Sequence, residues 1–590
     1  MDKSLVQGEL EAPVPSEGGS IWGSDVVAGM LRALGYPYVS LNPGASFRGL
    51  HDSLVNRNGN RDPQMLLCLH EGHAVAIAHG WAKVTGKPLA VVLHSNVGLL
   101  HGSMGLFNAW CDRVPMMVLG ATGPVDAARR RPWIDWLHTS QDQGALVRSF
   151  LKWDAQPASV EAAIEAMLRA DILTRTAPHG PVYINLDASL QEQRLEAMPD
   201  LPDPAQFAAP AAPMPAAADV ARAAAMLDGA KSPVILAGRT SRDPVDWGRR
   251  VALAERLHAR VLTDIKVGAA FPTDHPLHAG APGFFLDAAG AAVLREADVV
   301  LSLDWLDLAG TLKQAGRPTA QIIQVSMDHQ LHNGFGMEHQ ALPKLALHLA
   351  CAPDIGAAAI ADALVAGTGS APAEAPTRPA LARPADDADL DVGTLAGALG
   401  AGLEGISTCF VRLPLGWKGD AWHFGHPLDF LGYDGGAGIG SGPGMLIGAA
   451  LALRGGNRLP VAVLGDGDTM MSASALWTAA HYRVPLLAVV ANNRSFYNDE
   501  VHQERVAKER QRPVENKWIG QQISNPDIDI AAIAQAQGVV GLGPVRTSGE
   551  LVEAVREGVR RVQEGECVLI DARVLPGYNP AMSAGLTRDS

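Results

Sequence analysis

The segment Leu-Gly-Asp-Gly-Asp at residues 464–468 decides the fold of the domain around it. It follows an apolar run at 459–464, and a second apolar run at 484–491 leads into the pair Asn492-Asn493. Residues 468–491 are enough for one crossover helix and one returning strand, so the pattern predicts a β-α-β unit with parallel strands. Both polar clusters then lie at the carboxyl ends of neighbouring strands, where open α/β sheets bind ligands.

The side chains at these two strand ends suit a divalent cation. Asp466 offers carboxylate oxygens and Asn493 an amide oxygen, and the flanking glycines let the backbone approach a phosphate closely. Mg²⁺ prefers a few protein oxygens completed by phosphates and water, so the segment predicts a diphosphate held through magnesium. A Gly-Asp-Gly alone is usually a turn, but the apolar strand before each cluster and the crossover length favour a ligand site.

A second motif lies near the other end of the chain, where His70-Glu71 precedes a run of small residues. Alanines recur every four positions at 74, 78 and 82, which predicts one close-packing face of a helix that Glu71 opens. A carboxylate in the first turn is favoured by the helix dipole, so an ordinary N-terminal helix acid is the alternative interpretation.

A third motif is the glycine-rich segment Gly-Gly-Ala-Gly-Ile-Gly at 435–440, which runs into a small-residue helix at 444–450. Taken alone, Ile439 fits a core position as well as a binding site. Its interpretation therefore depends on the other two motifs.

With these three motifs in this order, the chain resembles the thiamine-diphosphate-dependent enzymes, in the branch of acetolactate synthases, 2-oxo-acid decarboxylases and carboligases. The resemblance implies that Asp466, Asn493 and the backbone carbonyl of Ser495 hold the metal. It also implies that Ile439 wedges the cofactor into its folded V shape. The residues that it places around the cofactor are Gly44, Glu71, Ala437, Ile439, Gly465, Asp466, Gly467, Asp468, Asn493 and Ser495.

In this family a glutamate at the head of a small-residue helix activates the cofactor, and Glu71 matches it. Thiamine diphosphate becomes a nucleophile only when the C2 proton of its thiazolium is removed. A buried carboxyl can share a proton with the aminopyrimidine ring, which makes the exocyclic amine a base beside C2. The backbone carbonyl of Ala437 would accept a hydrogen bond from that amine. Glutamine at position 71 could not exchange the proton.

Composition agrees with a globular enzyme of several domains. The 590 residues have a net charge of −14, which argues against nucleic acid as a partner. The five cysteines are scattered with no CxxC, which fits neither a disulfide framework nor a zinc site and indicates a cytoplasmic protein. Residues 1–20 have no apolar core of a signal peptide, and no stretch is long and apolar enough to predict a membrane span.

The pattern predicts an α/β protein of three doubly wound parallel-sheet domains. The first domain takes residues 20–191, the central domain 218–365 and the C-terminal domain 390–580. The resemblance implies that the N-terminal domain binds the pyrimidine of the cofactor and that the C-terminal domain binds the diphosphate and magnesium. The first helix is expected at 24–34, with Ser24 as its N-cap and Gly35 at its end. The strands expected in the first two domains are 38–41, 65–69, 88–94, 116–119, 182–186, 233–237, 261–264, 299–303 and 321–325.

Two segments rich in Pro and Ala, 198–217 and 368–389, are predicted linkers. The central domain has no GxGxxG motif, so dinucleotide binding is unsupported. Some family members hold a structural FAD there and others do not, and the sequence does not decide between them. The tail at 577–590 is either disordered or a lid over the site.

The resemblance also implies an assembly. Glu71 and Asp466 belong to different domains, which in this family meet from two different chains. A homodimer with two interface active sites is then the minimal catalytic unit, and tetramers are common in this branch.

The segments around the substrate depart from the acetolactate synthase pattern. His94 to His101 replace its usual Thr-Ser-Gly-Pro-Gly, and the segment 120–145 lacks its Phe-Gln-Glu. His94, Asn96 and His101 follow a strand end, so they are candidate proton donors or oxyanion partners near C2, or else cap and interface residues. Arg129 to Arg131 could bind an anionic tail, although a solvated face is the simpler interpretation.

The predicted function is carbon-carbon bond cleavage or formation on a 2-oxo acid, by a decarboxylase or an acetolactate-synthase-like carboligase. A diketone hydrolase or an acyl-CoA lyase of the same superfamily is an alternative within enzymes. A non-catalytic, cofactor-binding homologue is the alternative from another class, and the intact Glu71, Asp466 and Asn493 argue against it.

Overall fold

The computed structural model describes residues 11–15, 18–328, 341–365 and 382–577. Three parallel sheets follow one another along the chain, each packed between helices, so the predicted fold class of three doubly wound α/β domains is confirmed. None of the described helices combines the length and the apolar character that crossing a bilayer requires.

The N-terminal domain is built on a six-stranded sheet of order β3-β2-β4-β5-β7-β6. Its helices and strands are β1 (Ile21–Trp22), α1 (Gly23–Ala33), β2 (Tyr38–Leu41), α2 (Arg48–Asp52), β3 (Gln64–Leu67), α3 (Glu71–Thr85), β4 (Ala90–Leu93), α4 (Ser95–Cys111), β5 (Met116–Thr122), α5 (Ile134–Leu137), β6 (Trp153–Ala155), α6 (Val160–Arg175), β7 (Pro181–Asp187), α7 (Ala188–Gln191) and β8 (Arg194–Leu195). Strand β1 pairs with β8 in a separate antiparallel ribbon. The strand order reverses between β2 and β4, so the loops after these two strands flank a ligand-binding crevice.

The central domain carries a five-stranded parallel sheet of order β10-β9-β11-β12-β13. Its elements are α8 (Ala217–Asp228), β9 (Pro233–Ala237), α9 (Pro244–Leu257), β10 (Arg260–Leu262), α10 (Ala288–Glu296), β11 (Val299–Leu303), α11 (Leu308–Gln314), β12 (Gln321–Val325), β13 (Leu347–Leu349) and α12 (Pro353–Ala363). Here the order reverses between β9 and β11.

The C-terminal domain has a parallel sheet of order β14-β15-β16-β18-β17. Its elements are α13 (Val392–Gly402), β14 (Thr408–Arg412), α14 (Gly442–Leu453), β15 (Leu459–Gly465), α15 (Asp466–Met471), α16 (Ala475–His481), β16 (Leu486–Asn492), α17 (Tyr497–Glu509), α18 (Ile530–Ala536), β17 (Val540–Val545), α19 (Ser548–Gln563) and β18 (Cys567–Arg573). Strands β15 and β16 are parallel neighbours, as the sequence predicts.

Several local predictions need correction. The crossover from β15 to β16 contains two short helices, α15 and α16, and not one, because the chain turns at Ser472 to Ser474 between them. The N-cap of α1 is Trp22 and not Ser24, and the Trp22 N–H donates to the Asp25 carboxylate at 2.9 Å. The sequence missed the three-residue strands β6 and β13.

Parts of both predicted linkers and the tail lie outside what the structure describes. Residues 198–216 contain only a short 3₁₀ turn before α8 begins. Of the second linker, residues 368–381 fall outside the described residues, as do residues 578–590 of the predicted tail.

Helix α3 packs directly against helix α14, which joins the first domain to the third. A Cβ at Gly80 would lie 2.0 Å from the carbonyl oxygen of Met445, and one at Gly448 would lie 1.9 Å from the carbonyl oxygen of Ile77. The two backbones therefore touch, which only glycine allows. This joint fixes the start of α3 relative to the glycine-rich segment before α14.

Candidate active site

A cavity of about 620 Å³ lies at the carboxyl ends of β15 and β16. The predicted metal residues line it on one side, and a largely apolar wall surrounds the rest. The residues of the two glycine motifs and the strand ends that line it are Gly435, Ala437, Ile439, Gly465, Asp466, Gly467, Asp468, Asn493 and Ser495. Its apolar lining includes Phe284, Phe285, Leu306, Leu413, Leu415, Phe496 and Leu575.

The three predicted metal residues are gathered by one backbone N–H group. The N–H of Ser495 donates to Asp466 Oδ2 at 3.1 Å and to Asn493 Oδ1 at 2.9 Å. Burial raises the pKa of Asp466 to about 6, while hydrogen bonds from backbone N–H groups, including Gly467, act in the opposite direction. A carboxylate oxygen and a neighbouring amide oxygen are ligands that hard divalent cations prefer, and a bound cation would stabilise the buried negative charge of the carboxylate.

Asp468 has a different environment from Asp466. One of its oxygens accepts the N–H of Gly440 at 2.6 Å, and the other forms an ion pair of 3.1 Å with the buried guanidinium of Arg412. Arg412 also pairs with Asp434 at 2.6 Å and lies 4.2 Å from the Tyr433 ring centroid. Asp468 therefore anchors the glycine-rich segment, although it lines the same cavity as Asp466.

The glycine-rich segment presents Ala437 and Ile439 to the cavity. Ala437 has a φ of 56°, a left-handed conformation that costs an L-residue free energy and is held here by its surroundings. The N–H of Gly438 donates to Asn108 Oδ1 at 3.4 Å, and the Asn108 amide donates back to the Gly438 carbonyl at 3.3 Å. Through Asn108, helix α4 of the first domain therefore holds the backbone of the glycine-rich segment in place.

Glu71 lies in the first turn of α3, where the sequence places it, and is 5% exposed. His101 Nδ1 lies 3.0 Å from Glu71 Oε2, and a Cβ at Gly98 would lie 3.1 Å from Glu71 Oε1. His70 caps the helix by accepting the Gly72 N–H at 3.0 Å. The carboxylate is therefore enclosed by the first turns of α3 and α4.

His94 ends the loop after β4 and faces the loop after β2. Its Nδ1 lies 2.8 Å from Ser46 Oγ, and its ring packs edge to face against His138 at 4.7 Å. A Cβ at Gly44 would lie 2.3 Å from the His94 side chain, so Gly44 is needed for this close approach. Burial lowers the pKa of His94, and the neighbouring His138 lowers it further.

Asn96 and the arginine triplet contact neighbouring residues of the first domain. The Asn96 amide donates to the Leu137 carbonyl at 3.2 Å and so holds α5 against the start of α4. Arg131 pairs with Asp135 at 2.9 Å. Arg130 donates to two backbone carbonyls, and the Arg129 side chain is 59% exposed. The arrangement favours the solvated interpretation of the triplet.

Within one chain the two groups of residues do not share a cavity. The described lining of the 620 Å³ cavity comes from the central and C-terminal domains and includes neither Glu71 nor His94. Beside Glu71 the surface is instead apolar and open. Its exposed apolar side chains are Leu69, Val97, Leu100 and Met104, next to the exposed His70 and His101, and the last three apolar residues lie at helical spacing along α4.

The residues present fit thiamine diphosphate. A Cβ at Gly467 would lie 2.6 Å from the Phe496 ring, so Gly467 packs closely against that wall residue. A Cβ at Gly465 would meet open space, so the backbone at Gly465 is accessible in the cavity. Carboxylate and amide oxygens lie beside it for a metal-bound diphosphate, and apolar walls continue from there for an organic ring.

A second cleft, of about 630 Å³, lies between the first and central domains at the strand-order reversal of β9 and β11. Two arginines meet two aspartates on its wall. Arg239 pairs with Asp304 at 3.1 Å and with Asp328 at 3.4 Å, and Arg113 pairs with the same two carboxylates. The cleft borders the central domain, for which the sequence does not decide whether FAD is bound.

Some residues of the site had no assigned role in the sequence. Arg412 could have been noticed, because a charged residue that ends an apolar strand at its carboxyl end is a signal for a site. Ser46 was part of a segment next to a predicted strand, but its contact with His94 depends on side-chain geometry. His138 follows no motif, and only the fold brings it to His94.

Comparison with known proteins identifies each domain. The N-terminal thiamine pyrophosphate binding domain matches residues 21–146, the central domain of these enzymes matches 220–335, and the C-terminal thiamine pyrophosphate binding domain matches 415–572. Together the three matches span more than half of the chain.

Individual proteins that are similar to this chain support the same identification. Benzoylformate decarboxylase of Pseudomonas aeruginosa is 26% identical over 485 residues, 79% of this chain and 85% of that protein. The large subunit of acetolactate synthase isozyme 1 of Escherichia coli is 26% identical over 495 residues, 82% and 83% of the two chains. The structure of 4-hydroxybenzoylformate decarboxylase of Rhodococcus jostii matches 95% of this chain and 100% of its own, with 21% identity and a TM-score of 0.76, and shows the shared fold. This chain belongs to the thiamine-diphosphate-dependent enzyme superfamily, in its family of 2-oxo-acid decarboxylases and acetolactate-synthase-like enzymes.

Proposed function

We propose that this protein is a Mg²⁺-dependent member of the family that cleaves the bond between the carboxyl and carbonyl carbons of a 2-oxo acid, in active sites shared by two chains. The observation that carries the proposal is that the same chain has a buried Glu71 in one domain and a cavity lined by Asp466 and Asn493 in another. Bound thiamine diphosphate would supply the nucleophilic carbon and accept the electrons left by departing CO₂.

The C-terminal domain would hold the diphosphate. Asp466, Asn493 and the carbonyl of Ser495 would be the protein ligands of Mg²⁺, and the backbone at Gly465 and Gly467 would lie against the phosphates. Asp468 would keep the glycine-rich segment in place through Gly440 and Arg412. The Ile439 side chain would then be held in a fixed position in the cavity.

The N-terminal domain would supply the proton chemistry. Glu71 would exchange a proton with the aminopyrimidine of the cofactor held by the partner chain, and its burial keeps water away from that proton. His101, 3.0 Å from the carboxylate, would hold the Glu71 side chain in one orientation. His94 would act on the substrate as a proton donor or as a hydrogen-bond partner of its developing oxyanion.

The exposed surface around Glu71 supports a homodimer. Leu69, Val97, Leu100 and Met104 form an apolar surface next to a catalytic carboxylate, and such patches on a folded chain mark interaction sites. A second copy whose C-terminal cavity covers this surface would complete the site. A homodimer is the smallest assembly that gives both chains the same contact.

The substrate side favours a bulky apolar 2-oxo acid over pyruvate. The cavity wall carries Phe284, Phe285, Leu413 and Leu415, and the chain lacks the Phe-Gln-Glu of acetolactate synthases at 120–145. The relative from Pseudomonas aeruginosa that spans most of this chain is a benzoylformate decarboxylase. We therefore expect an aromatic 2-oxo acid to be turned over faster than pyruvate.

The test is an assay of CO₂ release and of ligation products from pyruvate, phenylpyruvate, benzoylformate and oxalyl-CoA, with and without thiamine diphosphate and Mg²⁺. We expect cofactor-dependent CO₂ release from an aromatic acid, and none from the Glu71→Gln variant. Turnover of oxalyl-CoA alone would favour the acyl-CoA lyase alternative. Cofactor binding without turnover of any of the four would contradict the proposal and favour the non-catalytic homologue.

A further inference from the structure

The neutral imidazole of His94 has two tautomers, and the structure bears on which of them forms. His94 lies at the reversal of strand order between β2 and β4, where the loop that carries Gly44 and Ser46 meets the start of α4. The Gly44 backbone packs against the ring on one side and His138 on another. The ring is thus confined by contacts before any ligand binds.

Ser46 is placed to select the tautomer. It is 6% exposed, and its Oγ accepts the backbone N–H of Ser95 at 3.2 Å. The same oxygen lies 2.8 Å from His94 Nδ1. Among the described residues, the Ser46 hydroxyl has no other acceptor within hydrogen-bond distance, so its proton is satisfied only if Nδ1 accepts it.

The opposite tautomer would leave a polar group unsatisfied. If His94 Nδ1 carried the proton, Ser46 Oγ would accept two hydrogen bonds and its own buried proton would have no described partner. Leaving a buried donor unpaired costs more free energy than an ordinary hydrogen bond contributes. The geometry therefore favours Nδ1 as acceptor and Nε2 as the protonated nitrogen.

The charged form of His94 is also disfavoured where it stands. Burial lowers its pKa, His138 lowers it further, and only Glu71, at the head of α3, acts in the opposite direction. The imidazole is accordingly neutral near pH 7, and its chemistry there depends on which nitrogen holds the single proton.

We propose that Ser46 is a positioning residue that holds His94 as its Nε2–H tautomer, so that Nε2–H is the group that donates a hydrogen bond to the substrate oxygen on which negative charge develops. The ring stays neutral throughout, because Nε2 keeps its proton while Ser46 donates to Nδ1. This role rests on the proposed function, because it assigns a task to His94 within that reaction. It makes Ser46 a contributor that does not need to touch the substrate.

The test is NMR of the whole assembled protein labelled with ¹⁵N-histidine, at pH 7, with and without thiamine diphosphate and Mg²⁺. The His94→Gln variant assigns the His94 signals by their loss. We expect the unmodified protein to show an unprotonated Nδ1 and a protonated Nε2. In Ser46→Ala the two nitrogen shifts should move toward each other as the tautomers mix, and in Ser46→Thr, which keeps the hydroxyl, they should not.

Turnover provides the second readout. With the best substrate of the four, kcat of Ser46→Ala should fall about tenfold with little change in KM, and Ser46→Thr should recover most of the loss. Ser103→Ala is the matched control, because Ser103 lies on α4 and, among the residues that the structure describes, its hydroxyl donates to the Leu100 carbonyl and not to a histidine. It should change neither the His94 signals nor kcat.

Two results would overturn the proposal. One is a protonated Nδ1 in the unmodified protein, which needs no variant to be folded. The other is a Ser46→Ala variant whose tautomer ratio and kcat are both unchanged. If the tautomer behaves as expected but none of the four substrates is turned over, the proposed function fails while the role of Ser46 in fixing the ring stands.

Discussion

Asp466 and Glu71 are buried to nearly the same extent, 4% and 5% exposed, yet their surroundings within one chain differ. Asp466 lines a cavity of about 620 Å³ and is held by the backbone of its own domain. Glu71 lies under an open, apolar surface, and its close polar neighbour is the half-exposed His101. One half of the proposed site is a preformed cavity, and the other half is a surface.

This difference indicates how the work of the site is divided. A preformed cavity can bind the diphosphate end of a ligand without rearrangement, because its donors are already in place. A carboxylate beneath an apolar surface gains its full effect only when a second surface excludes water from it. Cofactor affinity should therefore depend mainly on the C-terminal half and reactivity on the N-terminal half.

The largest effect is expected at Glu71. Glu71→Gln should slow exchange of the C2 proton of bound thiamine diphosphate by about 10²- to 10⁴-fold, because the amide cannot exchange a proton with the ring. Cofactor affinity should change little. Exchange is followed by NMR after acid quench of samples in D₂O. Glu161→Gln, at the first turn of α6, is the matched control and should exchange at the normal rate.

At Asp466 we expect the main change in cofactor affinity, and not in the exchange of the C2 proton. Asp466→Ala should weaken Mg²⁺-dependent retention of the cofactor by about 100-fold, since it removes the charged ligand of the proposed metal site. Titration of the cofactor by fluorescence, with and without a chelator, measures this. Retention that is equal to that of the unmodified protein in both conditions would remove Asp466 from the metal site.

A smaller effect should appear in the assembly. Leu100→Asp places a charge on the exposed apolar surface beside Glu71 and should weaken the homodimer by about 2 kcal/mol, or about 30-fold in its dissociation constant. Sedimentation equilibrium measures the change. Val245→Asp, on an exposed apolar residue of the central domain, should leave the dimer intact. Equal dimers in both variants would place the interface elsewhere.

The smallest effect is expected at Ile439. Ile439→Ala shortens the side chain that the cavity presents to the cofactor and should lower kcat about tenfold while the diphosphate end still binds. Ile439→Leu, which keeps the bulk, should recover most of the activity. A loss of cofactor affinity as large as that of Asp466→Ala would mean that Ile439 supports the cavity itself and not the shape of the ligand.

The sequence predicted the fold where burial dominates. Strands β9, β11 and β12 have the expected boundaries, because a central parallel strand is a short apolar run bounded by polar residues. The strands that it missed in the first two domains are the three-residue edge strands β6 and β13 and the two-residue strands β1 and β8, all too short to show a period. Tertiary pairing creates such strands, and local sequence does not.

The candidate site divides in the same way. Glu71, Asp466 and Asn493 could be predicted because each follows a strand or opens a helix, positions that the chain pattern fixes. The contacts of Asp468 with Arg412 and of His94 with Ser46 could not, since they depend on rotamers and on loops brought together from distant segments. Their confirmation as functional residues awaits the measurements above.

The contact between α3 and α14 has a mechanical consequence. Backbone touches backbone at Gly80 and Gly448, so neither helix can roll on the other without a steric clash. Helix α3 begins with Glu71, and α14 follows the segment that carries Ile439. In a twofold dimer, Glu71 and Ile439 of one chain would belong to different active sites. The close contact between α3 and α14 would then connect the two sites mechanically.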